Sequence, residues 1–567
     1  TARNTLQRIP AQRFDIDAAV LASPELFYVQ HGHFMAGAEL FECELFGMSV
    51  SEVRATDPSH RVLLEAVFGA IVRADHTRGS LLGTSTGMFL GIANVVDWGM
   101  HQRDRGAKAS VFGAHGSDGG AAAGRVSYLF GLKGPCFSVN TACSSSLVAL
   151  DAAYQNMRLH TCERTLVAGV CLHLHASSFG AFCALHALSP DGQCKTFDAH
   201  ADGYGRSEAC GAVVLERDLY GTDVMIRGTA VNQDGRSASF MAPNGPSQEA
   251  VVRSAMHQTS IVHCVEAHGT GTALGDPIEV GALHRVLMSS ATGTHPIALG
   301  AFKSQIAHSE GAAGMAGLLK VVQVLQHCCL PANLHLREVN PKLDLDGFDV
   351  TMPSHGTKLA GSSGAMGVSS FGYSGTNSHA VLASKTRNHN AVAVQHPVAI
   401  YKNTAFPWWN AHLASDVSQS LLGTLTGTQE RDTTTWERTW PSGTCSYMAQ
   451  HRVGHAPLAP GTGFLCMVGE AITAPSSGFH TDHAQFTSML FLDTGAPLVR
   501  VCLQPLDDAK SAYSVSIESS VASSEWLRHA VVCAAVAAQS IGSTARQVEF
   551  NICGGFATPK ARGDDSR

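Results

Sequence analysis

Cys143 lies in the stretch VNTACSSSLVAL (139–150), between an apolar run and three serines. The preceding CFSVN (136–140) reads as a buried strand. SSSLVALDAAYQNM then reads as a helix with Leu147, Leu150, Tyr154 and Met157 on one stripe. A thiol at such a strand-to-helix turn faces the positive end of the helix, which favours thiolate. Backbone N–H groups at the same turn can hold an oxyanion. Most free cysteines are instead small buried hydrophobes, so this segment alone balances a nucleophile against a packed thiol.

Two histidines tip that balance. VHCVEAHGTGTALGDPIEVGAL (262–283) puts His268 at the end of an apolar strand. A helix start follows, with Asp276 as N-cap, Pro277 in the first turn and Glu279 at the capping-box position. A satisfied core histidine is the plain reading of His268. The loop Gly269-Thr270-Gly271-Thr272 is too permissive and polar for ordinary core, however, and reads as a place where a ligand or backbone comes close. LGAFKSQIAHSEGAAGMAGLLKVVQVL (299–325) repeats the arrangement: a strand, Lys303, then His308 just before a helix. A helix N-terminus disfavours imidazolium and leaves His308 a neutral donor. One Cys and two His, each at the C-terminal end of a strand, suit acyl transfer.

The elements that must position them alternate from about residue 80 to 385. Apolar strands (TGMFLGIA, TLVAGVCLHL, EACGAVVLE, PIALGAF) interleave with helices at 144–158 and 311–326, which predicts layered α/β architecture. With 567 residues the chain exceeds one core, so two or more domains are expected. Hydrophobic content of 45% against 15% charged marks a globular protein. The net charge of -7, without a dense Lys/Arg block, argues against nucleic acid as a partner. No apolar run reaches the ~18 residues of a membrane span. The 16 cysteines include no C-x-x-C pair, which argues against a disulfide framework or a zinc site. With no targeting segment visible, they point to a reduced, cytoplasmic setting. His173 and His175 form an H-x-H pair in a strand-like run; with no third ligand in view, packed or surface histidines are the simpler reading than metal ligands.

Taken together, TACSSSLVAL at Cys143, VEAHGTGTALGDPIEV at His268, KSQIAHSEGAAGMAGLLK at His308 and SSFGYSGTNSHAVL (369–382) resemble the β-ketoacyl synthase (ketosynthase) domain of modular, type I polyketide synthases. Two longer runs, 187–217 and 230–253, support the resemblance, which covers residues 1–385. It implies a thiolase fold (layered α-β-α-β-α) in a homodimer. It implies that Cys143 takes an acyl chain from a phosphopantetheine thioester, and that His268 and His308 stabilise the enolate of a malonyl-type extender carried by an acyl carrier protein. The backbone N–H groups of Cys143 and Tyr373 would form the oxyanion hole, with Lys303, Thr270 and Thr272 in support. No bound cofactor or metal is implied. The family pattern is departed from at Asn140 (usually Asp), at Ala307 in Gln305-Ile306-Ala307-His308 (usually Asn-x-Gly-His) and at Tyr373 (usually Phe). The family's first strand has no counterpart before Thr1, so an incomplete sheet edge is expected and the chain reads as cut from a longer one.

Residues 386–420 lack periodicity, hold a Pro-Trp-Trp cluster and read as a linker docked on a domain surface. Residues 421–555 resemble the first half of a polyketide dehydratase, implying a small α+β, single hot-dog-like domain, and 556–567 read as a tail. HRVGHAPLAPGTGFL (451–465) makes His451 the candidate dehydratase base, with His455 where the family has Gly. No partner acid follows, so an inactive remnant is expected rather than dehydration. The absence of an acyltransferase between the two regions implies one acting in trans. The expected function is chain elongation by decarboxylative Claisen condensation. The alternative is a module that only transfers or docks acyl chains, and a degradative thiolase is disfavoured.

Overall fold

The computed structural model describes residues 4–384 and 397–409, apart from 94–95, 105–110, 218–223, 258–261, 289–295 and 360–363. Beyond these it describes 422, 424–429, 433–439, 452–453, 456–457, 461–472, 479–488, 490, 498–506, 512–520, 526–536 and 551–552. The chain divides into two compact units, Thr1–Trp409 and Asn410–Arg567.

In the first unit Gly87–Ile92 (β1), Cys136–Val139 (β2), Arg164–Cys171 (β3) and Ala209–Glu216 (β4) form one sheet in the order β2-β1-β3-β4. Val224–Gln233 (β5), Cys264–Glu266 (β6), Ile297–Gly300 (β7), Val350–Thr351 (β8), Ala365–Phe371 (β9) and Thr376–Ser384 (β10) form a second, ordered β8-β7-β6-β9-β10-β5. Each sheet has a parallel centre followed by an antiparallel neighbour: β3 pairs β4 and β9 pairs β10. The helices used below are Pro58–Arg73 (α1), Gly119–Phe130 (α2), Ser145–Arg158 (α3), Ala176–Ala184 (α4), Gly245–Ala255 (α5), Gly275–Leu287 (α6) and Ala313–His327 (α7).

The layering follows from which faces are apolar. α3 and α7 touch both sheets and are buried between them, while α1 and α2 cover the outside of the first sheet and α5 and α6 that of the second. This is the five-layer thiolase fold. The strands between helical layers are apolar throughout, as β1, buried at every position, illustrates. Two expectations need correction. β2 is not buried; it lies at the sheet edge, with Cys136 exposed and Phe137 40% exposed. An apolar run cannot distinguish an edge strand from a central one, because register and neighbours decide it. Asp276 is not an N-cap; α6 begins at Gly275, and the hydroxyl accepting its N–H belongs to Thr272 (3.1 Å).

At the other end of the first sheet, no strand among the described residues pairs with the outer edge of β4, whereas β10 in the second sheet carries β5 there. After β10, residues 397–409 return to the first unit. Phe406 and Trp408 are buried in its core, with the Arg61 guanidinium 6.0 and 5.5 Å from their rings.

The second unit is a seven-stranded sheet packed on one helix among the described residues. Thr424–Gln429 (β11), Thr433–Thr439 (β12), Phe479–Phe486 (β13), Leu498–Pro505 (β14), Ala512–Ser520 (β15), Leu527–Val536 (β16) and Asn551–Ile552 (β17) are ordered β11-β12-β14-β15-β16-β13-β17. Helix Gly461–Ile472 (α8) buries Phe464, Met467 and Val468 against Val499, Val501, Val515, Ile517 and Val532. A sheet packed on a single apolar helix is the hot-dog arrangement expected. His451 lies outside the described residues. Among the described residues no helix is long and apolar enough to cross a membrane.

Glycine sets how closely α3 approaches β1. A Cβ on Gly91 would lie 2.4 Å from the Ser146 nitrogen. Gly91→Ala is therefore expected to cost about 1–3 kcal/mol or more. Gly124→Ala on α2, where a Cβ meets nothing within 4 Å, should be neutral or slightly stabilising. Thermal unfolding of the two variants side by side checks this; equal melting temperatures would refute it.

Candidate active site

Cys143 occupies a single 3-10 turn, Ala142–Ser144, between β2 and α3. Ala142 has φ +56°, a left-handed conformation that costs an L-residue about 1–3 kcal/mol and persists only when its surroundings impose it. They do. Asn140 Oδ1 accepts the Ala142 N–H (3.1 Å), the role its carboxylate homologue would serve equally. Ser144 Oγ donates to Thr141 O (3.0 Å) and Ser145 Oγ to Ala142 O (2.6 Å). From β9, Ser370 Oγ donates to Cys143 O (2.7 Å). Ser146 Oγ accepts the Met315 N–H of α7 (2.9 Å). Thus the first two serines lock the turn and the third ties it to the neighbouring central helix.

The backbone N–H groups of Tyr373 and of Cys143 itself both reach the sulfur. Gly372 makes that approach possible, because a Cβ there would lie 2.4 Å from Thr141 O. His268 follows β6. Its backbone N–H and that of Gly269 donate to the two oxygens of Glu279 (2.6 and 2.8 Å), so α6 fixes where the ring stands. His308 donates its backbone N–H to Gly205 O (2.9 Å). One reactive atom from each of Cys143, His268 and His308 lies within 4.8 Å of the others. The two imidazole rings are 5.4 Å apart and nearly perpendicular.

Tautomers follow from the hydrogen bonds. A backbone N–H can only donate, so a ring nitrogen receiving one is unprotonated. The Phe371 N–H points at His268 Nδ1 (3.3 Å) and the Glu310 N–H at His308 Nδ1 (3.1 Å). Each neutral ring therefore carries its proton on Nε2. His308 Nε2 is buried and has no hydrogen-bond partner among the described residues, a donor waiting for an acceptor. Burial, then the nearby Lys303 charge, holds both histidines well below the usual imidazole range.

The thiol departs from expectation. Burial, seconded by the Glu310 carboxylate, pushes Cys143 up to about 12, against the pull of Lys303 and of the two backbone N–H groups. A helix terminus contributes about 0.3–1 kcal/mol, less than the ~1.4 kcal/mol of one pKa unit. Desolvation therefore wins and the resting group is a thiol. Lys303 is itself buried and held below the usual ammonium range. A Cys and two His could also ligate a soft metal ion, but the Lys303 side chain sharing the enclosure opposes a second cation.

Thr270 and Thr272 face one another (Oγ1 to Oγ1, 3.1 Å) and serve the start of α6. The glycine between them admits backbone: a Cβ on Gly271 would lie 2.6 Å from Lys195 N. Ala307, where glycine was expected, takes φ +57° and bears a left-handed strain of its own. His173 and His175 diverge, His173 to Ser207 O (3.1 Å) and His175 to Asp104 (2.7 Å). Motif reading passed over Arg206 and Glu310. They form a buried bidentate ion pair (2.6 and 2.9 Å) directly behind His308. Both stand inside the motif-bearing runs, but nothing in the sequence says that they meet.

Residues 1–219 match the family model of the beta-ketoacyl synthase N-terminal domain, 224–337 that of its C-terminal domain, and 420–520 that of the polyketide synthase dehydratase domain. The chain is 38% identical to a phenolphthiocerol/phthiocerol polyketide synthase subunit of Mycobacterium bovis, over 67% of this chain and 22% of that protein. It is 39% identical to the spectinabilin polyketide synthase system protein NorC of Streptomyces orinoci, over 68% and 18% respectively. It thus spans about a fifth of these curated relatives. Among solved structures, the ketosynthase from module 6 of the bacillaene synthase from Bacillus subtilis superposes with a TM-score of 0.61 at 32% identity, covering 68% of each chain. The oxazolomycin ketosynthase domain OzmH KS7 of Streptomyces albus does so with 0.63 at 32% identity, over 68% of this chain and 70% of that one.

The raised thiol makes a direct prediction. Alkylation of Cys143 by iodoacetamide should quicken about tenfold per pH unit from about pH 7 to about pH 10 without levelling. Peptide mass spectrometry follows it, and a plateau below about pH 9 would show an activated thiolate instead.

Proposed function

This chain belongs to the β-ketoacyl synthase family of polyketide synthases, and we propose that it elongates a polyketide by decarboxylative Claisen condensation. The observation that carries the proposal is the pair of neutral histidines, each with Nδ1 capped by a backbone N–H and Nε2–H left to donate. Such a pair suits an oxygen that becomes negative only during reaction, which is where binding energy accelerates a step.

In the first half-reaction, Cys143 Sγ attacks the thioester carbonyl of an acyl group on phosphopantetheine. The N–H groups of Cys143 and Tyr373 take the oxyanion. The carbon–sulfur bond to the carrier breaks and the Cys143 proton ends on the departing pantetheine thiol. In the second, a malonyl-type extender on an acyl carrier protein places its thioester oxygen against His268 and His308 Nε2. Its carboxylate leaves as CO2 and the electron pair becomes the enolate. The enolate carbon attacks the Cys143 thioester, the oxyanion again rests in the same hole, and the Cys143 thiolate is expelled and reprotonated from solvent. Burial first, with the Lys303 charge second, holds both rings neutral and keeps the two donors from becoming imidazolium. The exposed β2 edge with Phe137 favours a homodimer joined there, and the extender is taken to come from an acyltransferase acting in trans.

With a malonyl thioester, His268→Ala and His308→Ala should each slow CO2 release by about 10²–10³, while Cys143 still takes an acyl group by intact mass. Cys143→Ala should take none. Retained condensation in Cys143→Ala would sink the proposal. Acylation of the unaltered protein with no CO2 release would favour a module that transfers acyl groups without elongating them.

A further inference from the structure

A closed belt of rings includes the two site histidines. Tyr373 meets Phe182 (6.3 Å between centroids), Phe182 meets Tyr204 (6.3 Å), and Tyr204 meets His308 (5.1 Å). His308 meets His268 (5.4 Å) and His268 meets Phe371 (5.6 Å). Phe371 is two residues from Tyr373 in the chain, so the belt closes through the backbone. Four of the five contacts, all but that of His268 with Phe371, are edge-to-face, an orientation aromatic quadrupoles favour.

Phe182, on α4, is the link between the Tyr373 ring and the rest of that belt. Its face is held by the Arg206 guanidinium at 4.7 Å, and Arg206 is in turn fixed by Glu310. Tyr373 needs such a hold. The residue is 47% exposed, and it stands in a tight turn between Gly372 and Gly375, the latter at φ +89°. The direction of the Tyr373 N–H depends on the Gly372–Tyr373 peptide plane, and glycine resists rotation of that plane less than any other residue.

We propose that Phe182 is a positioning residue for acyl transfer: its ring pins the Tyr373 side chain and thereby keeps the Tyr373 N–H aimed at the oxyanion formed over Cys143. The proposal rests on the condensing reading and adds to it a residue outside the Cys and His motifs.

The test uses the full chain and a butanoyl thioester of N-acetylcysteamine, with Cys143 acylation followed by intact mass. Phe182→Ala should lower the saturating acylation rate by about tenfold, part of the 10²–10³ lost when an oxyanion donor is removed outright. The half-saturating thioester concentration should stay within about twofold, since ground-state binding is not what Phe182 supplies. Phe182→Tyr, which keeps the ring, should restore the rate. CO2 release from a malonyl thioester should be little changed in Phe182→Ala, because that step uses the histidines. Wild-type acylation by Phe182→Ala, or a loss confined to the half-saturating concentration, overturns the proposal. Should Phe182→Ala fail to fold, Phe182→Leu against Phe182→Tyr decides it: equal rates overturn it, and a slow Leu variant beside a fast Tyr variant supports it. If the unaltered protein accepts no acyl group on Cys143, it is the condensing reading that fails, and the proposal with it.

Discussion

The site depends on how closely the two central helices meet between the sheets. Ser146 Oγ on α3 accepts the Met315 N–H of α7, and glycines on three sides allow it. A Cβ on Gly91 or Gly169 would strike Ser146 itself, and one on Gly314 would lie 2.7 Å from the Leu147 side chain. Close approach at this point brings the turn bearing Cys143 to the loop after β6 that carries His268 and the turn before α7 that carries His308. Buried backbone must find its hydrogen bonds wherever the chain crosses a layer, and here a serine hydroxyl supplies one across helices.

Enclosure by five layers has an electrostatic consequence. Desolvation disfavours every charged form, so it raises the thiol and lowers both imidazoles together. The result is a neutral reaction centre: a thiol, two Nε2–H donors and a pair of backbone N–H groups. Apart from the Lys303 side chain, the charges behind this centre are paired: Arg206 neutralises Glu310 and Lys320 pairs with Glu266. Fixed neutral donors in a dry site act strongly on charge that develops during reaction and little on the ground state. The same enclosure explains why a helix terminus at Cys143 does not by itself make a thiolate.

Much of the fold is legible in the chain. Apolar strands between helical segments predict the layers, and the glycines predict close approach, because both are local consequences of period and side-chain size. Cys143, His268 and His308 are legible as a set because each stands at the same kind of strand-to-helix junction. The rest depends on residues far apart in sequence. Arg206 and Glu310 are 104 positions apart, and Phe182 and Tyr373 nearly twice as far. Their meeting is set by topology rather than by pattern. The edge position of β2 was hidden for a related reason, since its apolar run looks the same with one neighbour as with two. Asp276 and Glu279 show a third case. Their spacing suggests helix capping, but in the fold their carboxylates turn back to the loop and receive the N–H groups of Gly271, His268 and Gly269.

The central claim is that two neutral histidines, protonated on Nε2, face the thiol. Nitrogen NMR of the protein labelled at histidine, with His268→Ala and His308→Ala used to assign the two rings, reads tautomer and charge directly. The account predicts an unprotonated Nδ1 and a protonated Nε2 on both rings, unchanged from about pH 8 down to about pH 5, below the ordinary imidazole range. Formation of an imidazolium at either ring near the ordinary imidazole pKa, or a proton on Nδ1, would contradict it.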